Sequence, residues 1–379
     1  MNTKDNLVEV YCLNNKKKKL YAAGTSLLQV YNDMKPEMKH KAIVAKVNNV
    51  TKDLGFKIYK PKTVEFLSND VPSGMRAYVR SLSFIFCNAV HKLLPNVTVR
   101  LEHPIAKGYF CKLIGYNQKI TQQLIDDIKK EMKEIIDADY PFNMENTTTE
   151  EAIEMFRAEG ANDTADLLQT VGSFYTKYYE MNGRHNWFLG CVAPSTGFIQ
   201  LFDLKLYHSG IYLQVPDRKD PVKLESFEPQ DKLIEAFKEH TEWNHIMQLG
   251  NVSQINKVAQ NKESISGVIK LAEALQEKKI ANIADEIARK DSVKIVLVSG
   301  PSSSGKTTFS KRLSVQLGVN GLSPVVLSMD DYFHPRTLTP RDANGEYDFE
   351  SIYSVDLDLF NEQMNKLLNG EEVSLPYYN

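Results

Sequence analysis

The stretch KIVLVSGPSSSGKTTFSKRLSVQLG, residues 294–318, decides how the rest of the chain is read. It opens on a short apolar run. Its middle is Gly300, Pro301, Ser302, Ser303, Ser304, Gly305, Lys306, Thr307 and Thr308, and its end places Phe309, Leu313 and Leu317 at helical spacing. Strand, glycine-rich turn and amphipathic helix in that order are the setting in which a G-x-x-x-x-G-K-[ST] motif holds phosphate. Glycines let the backbone close on phosphate oxygens, so that its N–H groups and the N-terminus of the next helix face the anion. Lys306 offers a positive charge to the β and γ phosphates of a nucleotide, and the Thr307 hydroxyl is suited to Mg2+. The apolar helix positions predict a face that packs on a parallel sheet.

Downstream, SPVVLSMDDYFHPR after Gly321 predicts a second strand that ends at Asp330 and Asp331. Ligands of an open parallel sheet gather at the carboxyl ends of its strands, which would put Asp330 beside the loop. A carboxylate there can take a proton from an attacking hydroxyl or help hold Mg2+.

At 379 residues the chain is long enough for about two to four domains, and 42% hydrophobic with 25% charged residues excludes wholesale disorder and fibrous repeats. Lys and Arg number 46 against 48 Asp and Glu, a net charge of -2. That balance lacks the strongly basic field typical of nucleic-acid binders and leaves room only for local patches. Cys12, Cys87, Cys111 and Cys191 include no C-x-x-C pair, which reads as reduced thiols and a cytoplasmic protein. No run approaches the ~18 apolar residues of a spanning helix, and MNTKDNLVEV has no apolar leader core, so no membrane partner is expected.

Residues 1–67 read as a small ββαββ unit: the alternating LVEVYCL, a turn at NNKKKK, LYAAG, a helix from Ser26, then AIVAKVNNV and KTVEFL. The lysines 16–19 read as a solvated hairpin tip. Residues 68–215 read as an α+β domain, with a long helix ended by Pro95, strands at VTVRLEH and GYFCKLI, a helix from Thr121 with an Asp-rich first turn, a capped helix at TTTEEAIEMF, and strands at GFIQLFDLKLY and GIYLQVP. Residues 216–290 read as a helical connector whose His240 and His245, five apart, make no metal face. Residues 291–379 carry the motif. The fold class expected is multidomain, α+β followed by α/β.

From Lys294 onward the chain resembles the uridine kinase and phosphoribulokinase family in its nucleoside-phosphorylating branch, through GPSSSGKTT, VVLSMDDYF, YDFESIYSVD and GEEVSLPYYN. The resemblance implies an ATP- and Mg2+-dependent kinase for the ribose 5′-hydroxyl of uridine or cytidine. It makes Asp330 the base, Asp348 a ribose contact and Tyr378 a contact to the nucleobase. Residues 7–66 are similar to a TGS domain, a β-grasp fold. The stretch of about 70–215 resembles the second additional domain of threonyl-tRNA synthetases, by NAVHKLLP, GYFCKLI and APSTGFIQLFDLKL. In those synthetases this domain edits misacylated tRNA with an H-x-x-x-H pair and a later Cys and His. Here Arg80 and Phe84 stand at the two His positions, and Phe188 and Val192 at the Cys and His positions. None offers imidazole or thiolate chemistry, so the editing centre is expected to be absent and the domain regulatory or scaffolding.

Two rival readings compete. A GTPase would want a D-x-x-G after a strand and an N-K-x-D; Asp342 to Gly345 matches the first, HPRTLTPR before it is no strand, and the second is missing. A nucleotide-switched RNA-binding regulator is the other. The stretch from Asp291 is shorter than a kinase domain of the resembled family, which predicts a fragment of a longer kinase, inactive by itself.

Overall fold

The computed structural model describes residues 7–377. It is a multidomain mixed α/β structure with several sheets, and it divides after Gln260 into two compact units.

The first unit opens with strands β1 (Leu7–Cys12), β2 (Lys17–Ala22) and β3 (Thr25–Ser26), helix α1 (Leu27–Met34), and strands β4 (Val44–Val47), β5 (Val50–Asp53), β6 (Lys57–Ile58) and β7 (Lys62–Leu67). The sheet order β2-β1-β7-β4-β5 contains one parallel pair, β1 with β7. Alternation makes the layer: Val8, Val10 and Cys12 of β1 and Val64 and Phe66 of β7 point to one face and bury against Leu27, Val30 and Met34 of α1. Ser26 starts α1 with a reciprocal capping box to Gln29, satisfying two N–H groups that the first helical turn leaves open.

There follow α2 (Pro72–Leu93), β8 (Thr98–Ile105), β9 (Gly108–Ile114), α3 (Gln122–Asp137), β10 (Asn143–Thr148), α4 (Thr149–Ala158), α5 (Asn162–Val171), β11 (Tyr175–Met181), β12 (Arg184–Asn186), β13 (Asp203–Tyr207), β14 (Gly210–Gln214), α6 (Asp231–Ile246) and α7 (Val252–Ala259). Strands β13-β14-β9-β8 form an antiparallel sheet covered on both faces. Cys111, Leu113, Ile211 and Leu213 face the dense apolar flanks of α2 and α3. Phe110 and Tyr212 face the other way, toward Phe227 and Ile234 of the α6 region. Two covered faces explain why every residue of β14 is buried. Strands β10-β11-β12 form a smaller sheet beside α4 and α5.

Thr121 caps α3, and the Asp-rich first turn expected there is corrected: Asp126 and Asp127 fall in the second turn, where Gln122 and Gln123 donate to them at 3.0 and 2.9 Å. At GFIQLFDLKLY only Asp203–Tyr207 is strand, because Thr196–Phe198 takes a 3-10 turn whose Thr196 hydroxyl donates to the Ile135 carbonyl at 2.7 Å.

The second unit holds α8 (Lys262–Ala288), α9 (Lys306–Val319) and α10 (Leu357–Leu368). Here two expectations are corrected. Residues 294–299 and 322–328 are not strands: a strand exists through a paired neighbour, and neither segment has one among the described residues. Consequently Phe309, Leu313 and Leu317 do not pack on a sheet; they close on Ile280, Ala284 and Ile287 of α8. Gln316 and Arg312 add polar contacts to Glu277.

Candidate active site

The loop before α9 is built from two left-handed residues, Ser303 (φ 58°) and Gly305 (φ 86°), separated by Ser304, whose N–H donates to the Pro301 carbonyl at 3.2 Å. A Cβ at Gly300 would lie 2.8 Å from the Ser304 hydroxyl, so a larger residue there would make that side chain turn away. Gly305 is the N-cap of α9 and supplies no side chain, so the first-turn N–H groups have no capping acceptor from it. The Lys306 side chain folds back over the loop and donates to the Gly300 carbonyl at 2.9 Å and the Pro301 carbonyl at 3.1 Å. Pro301, Ser302, Ser303, Ser304, Gly305, Thr307 and Thr308 are exposed. An open turn with free donors, the positive end of a helix and an ammonium held on neutral carbonyls is chemically an anion receptor.

Asp330 sits in the 3-10 turn Met329–Tyr332, whose start is capped by the Ser328 hydroxyl accepting from the Asp330 N–H at 3.3 Å. Its carboxylate is exposed. The turn is anchored from behind by Tyr332, which is buried, donates to Gln363 of α10 at 2.7 Å and meets the Phe360 ring edge-on at 5.2 Å. Asp348 lies in a second turn: its carboxylate accepts from the Glu350 N–H at 3.1 Å, and its carbonyl accepts from Ser354 at 2.7 Å. The two turns meet, because the His334 N–H donates to the Ser354 carbonyl at 2.9 Å and the Asp356 N–H to the Tyr332 carbonyl at 2.8 Å. No hydrogen bond or ion pair among the described residues joins Asp330 or Asp348 to the loop. Tyr378 lies outside the described residues. Asp342 organises its own turn, one carboxylate oxygen accepting from the N–H groups of Asn344 and Glu346 at 2.8 and 2.9 Å.

In the first unit, the four positions Arg80, Phe84, Phe188 and Val192 do converge. Arg80 donates to the Cys191 carbonyl at 3.2 Å, and the Phe84 ring meets Phe188 edge-on at 5.9 Å. Val192 is buried, and its N–H donates to Asp53 at 2.8 Å. The other Asp53 oxygen accepts from the Tyr179 hydroxyl at 2.8 Å. Burial pushes the Asp53 carboxyl above its ordinary value, and burial followed by the Asp53 charge pushes the Cys191 thiol up to about 12. Asp53 was not singled out in the sequence, where a lone Asp at a strand end carries no signal of its partner 126 positions away.

No cluster of three or more candidate metal ligands exists among the described residues, and no described helix is long and apolar enough to cross a membrane.

The segment bearing the glycine-rich loop is kinase-like: residues 295–379 match the family model described as Phosphoribulokinase / Uridine kinase family. The N-terminal half matches threonine–tRNA ligases instead. It is 27% identical over 187 residues to the enzyme of Desulforamulus reducens and 26% identical over 187 residues to threonine–tRNA ligase 1 of Bacillus subtilis, covering 49% of this chain and 29% of each ligase. The threonine–tRNA ligase of Francisella tularensis is 22% identical over 184 residues, 48% of this chain and 29% of the ligase. The chain thus spans less than a third of the length of these curated relatives.

Proposed function

We propose that this chain carries the nucleotide-binding part of an ATP-dependent nucleoside kinase, with uridine or cytidine as acceptor and the ribose 5′-hydroxyl as the site of transfer. The observation that carries it is the exposed loop Gly300–Thr308, which leads into a helix whose N-cap offers no side-chain acceptor and which holds the Lys306 ammonium on the carbonyls of Gly300 and Pro301. The family match over residues 295–379 supports the reading.

In this account Lys306 exchanges two neutral carbonyls for phosphate oxygens, a gain in charge pairing. Mg2+, when bound, neutralises phosphate charge. The Thr307 hydroxyl and the Asp330 carboxylate would hold it; both are exposed, and a cation that keeps waters and phosphate ligands asks the protein for one or two groups. Asp330 would also accept the 5′-hydroxyl proton, with Asp348 holding the ribose and Tyr378 the base. In a form of the protein that turns over ATP with a nucleoside, replacing Lys306 by Ala or Asp330 by Asn is expected to abolish γ-phosphoryl transfer with the fold retained, by assay of ATP consumption against a nucleoside panel. Near-normal turnover of Asp330→Asn would remove Asp330 as the base.

The first half fits a TGS-like sheet module followed by a synthetase-derived domain without editing chemistry. A second reading, RNA binding by residues 7–67, is favoured by charge: this stretch holds 12 lysines, no arginine and five acidic residues, against a whole-chain charge of -2. Lys16, Lys17, Lys35, Lys39, Lys57 and Lys60 are exposed and make no ion pair among the described residues. Filter binding of tRNA over a salt series tests it. About five phosphate contacts predict a log–log slope near -3.5 on single strands and steeper on duplex; no binding at low salt removes the reading.

A further inference from the structure

The β10-β11-β12 sheet and helix α5 enclose a cleft of about 360 Å³ that no step of the proposed kinase reaction uses. Its lining is mixed. Tyr175, Trp187, Phe188 and Leu189 give it apolar and aromatic walls, and Thr149, Ser173, Thr176 and Lys177 give it polar groups. On the floor the Thr149 and Thr176 hydroxyls pair with each other at 2.9 Å. At the rim, Leu189 is 81% exposed and Tyr175 67%, and the adjoining Phe174 is 89% exposed. Large apolar side chains gathered at one exposed opening mark a binding surface more often than scattered ones do.

One wall is fixed before any ligand arrives. Gly190, at φ 141°, lies so close over Arg80 that a Cβ would come within 2.8 Å of its guanidinium. Beyond it, Arg80 holds the Cys191 carbonyl, Asp53 holds the Val192 N–H, and the Ser81 hydroxyl accepts from the Ala193 N–H at 2.8 Å. Backbone pinned just beyond Gly190 lowers the ordering cost of binding at this wall. The cleft has one free charge: Lys177 is exposed, makes no ion pair among the described residues, and faces Asn146 across the strand pair.

We propose that this cleft binds a small aromatic molecule carrying an anionic group, its ring against Trp187 and Tyr175 and its carboxylate or phosphate on Lys177. The volume suits one ring system of about nucleoside size, and aromatic walls beside a lone ammonium match a flat ring with a single negative substituent.

Trp187 is its own reporter, because Trp243 is the only other tryptophan. Fluorescence titration of the full chain, with Trp243→Phe to silence the second signal and Lys306→Ala to disable the kinase loop, uses four probes: indole-3-acetate and uridine monophosphate as the two anion sources, with indole and uridine as neutral counterparts. The expected result is saturable quenching in which at least one anionic probe binds about tenfold more tightly than its neutral counterpart. Lys177→Met, a change at an exposed position, should erase that preference while leaving ring binding. Whichever anion shows the effect names the source. No saturable quenching up to millimolar probe, equal binding of charged and neutral members, or a preference that survives Lys177→Met would each overturn the proposal.

Discussion

Asp53 ties β5 to the segment after β12 through the Tyr179 hydroxyl and the Val192 N–H, and truncation at this residue leaves two donors without an acceptor. Asp53→Ala is expected to cost the first unit about 1–3 kcal/mol in urea unfolding. The pH dependence has a definite sign. A carboxyl whose folded-state value is raised binds its proton more readily in the native chain, so its contribution is complete below the ordinary value of 3.8 and is lost as pH rises through the folded value. Asp53→Asn removes this titration, so the stability of wild type relative to Asp53→Asn should fall as pH rises above the ordinary carboxyl value of 3.8; a constant difference would contradict the assignment. Burial likewise pushes the Cys87 thiol up to about 12, as it does with the Asp53 charge at Cys191. Both thiols are therefore expected to react with Ellman's reagent far more slowly at pH 8 than free cysteine, and labelling at the rate of free cysteine would refute that.

Elements that rest on local chemistry were legible. The run Thr148 to Glu151 announced a capping box, and Thr148 and Glu151 do exchange hydrogen bonds with each other's backbone N–H; Thr148→Ala is expected to cost about 1 kcal/mol. Elements that rest on distant partners were less so. KIVLVS reads as a strand by composition, yet strand identity requires a neighbour's backbone, and the adjacent helix α9 found its apolar partner in α8. Gly74 was equally silent in the sequence. Its place in the first turn of α2 puts an added Cβ 1.8 Å from the Ser68 carbonyl oxygen, a backbone atom that cannot swing away. Gly74→Ala is expected to destabilise the first unit by more than about 2 kcal/mol, whereas Gly267→Ala, in open space on α8, is expected to be neutral or slightly stabilising. Equal melting of the two variants would contradict this.

For the whole molecule, the near-neutral total conceals an excess of seven positive charges in residues 7–67 offset by negative charge elsewhere. That polarity was available to a count by segment and is lost in a count by chain. The candidate site was legible where one contiguous motif builds it, from Gly300 to Thr308. It was not legible where the geometry depends on turns meeting through Ser354 and Tyr332, which no spacing encodes. The central claim is that this loop receives the phosphates of ATP. Calorimetric titration of MgATP into the chain and into its Lys306→Ala variant tests it most directly. Saturable binding that needs Mg2+, exceeds that of GTP and weakens about ten- to a hundredfold in the variant is the predicted result; absence of binding, or equal affinity in the two proteins, would contradict it.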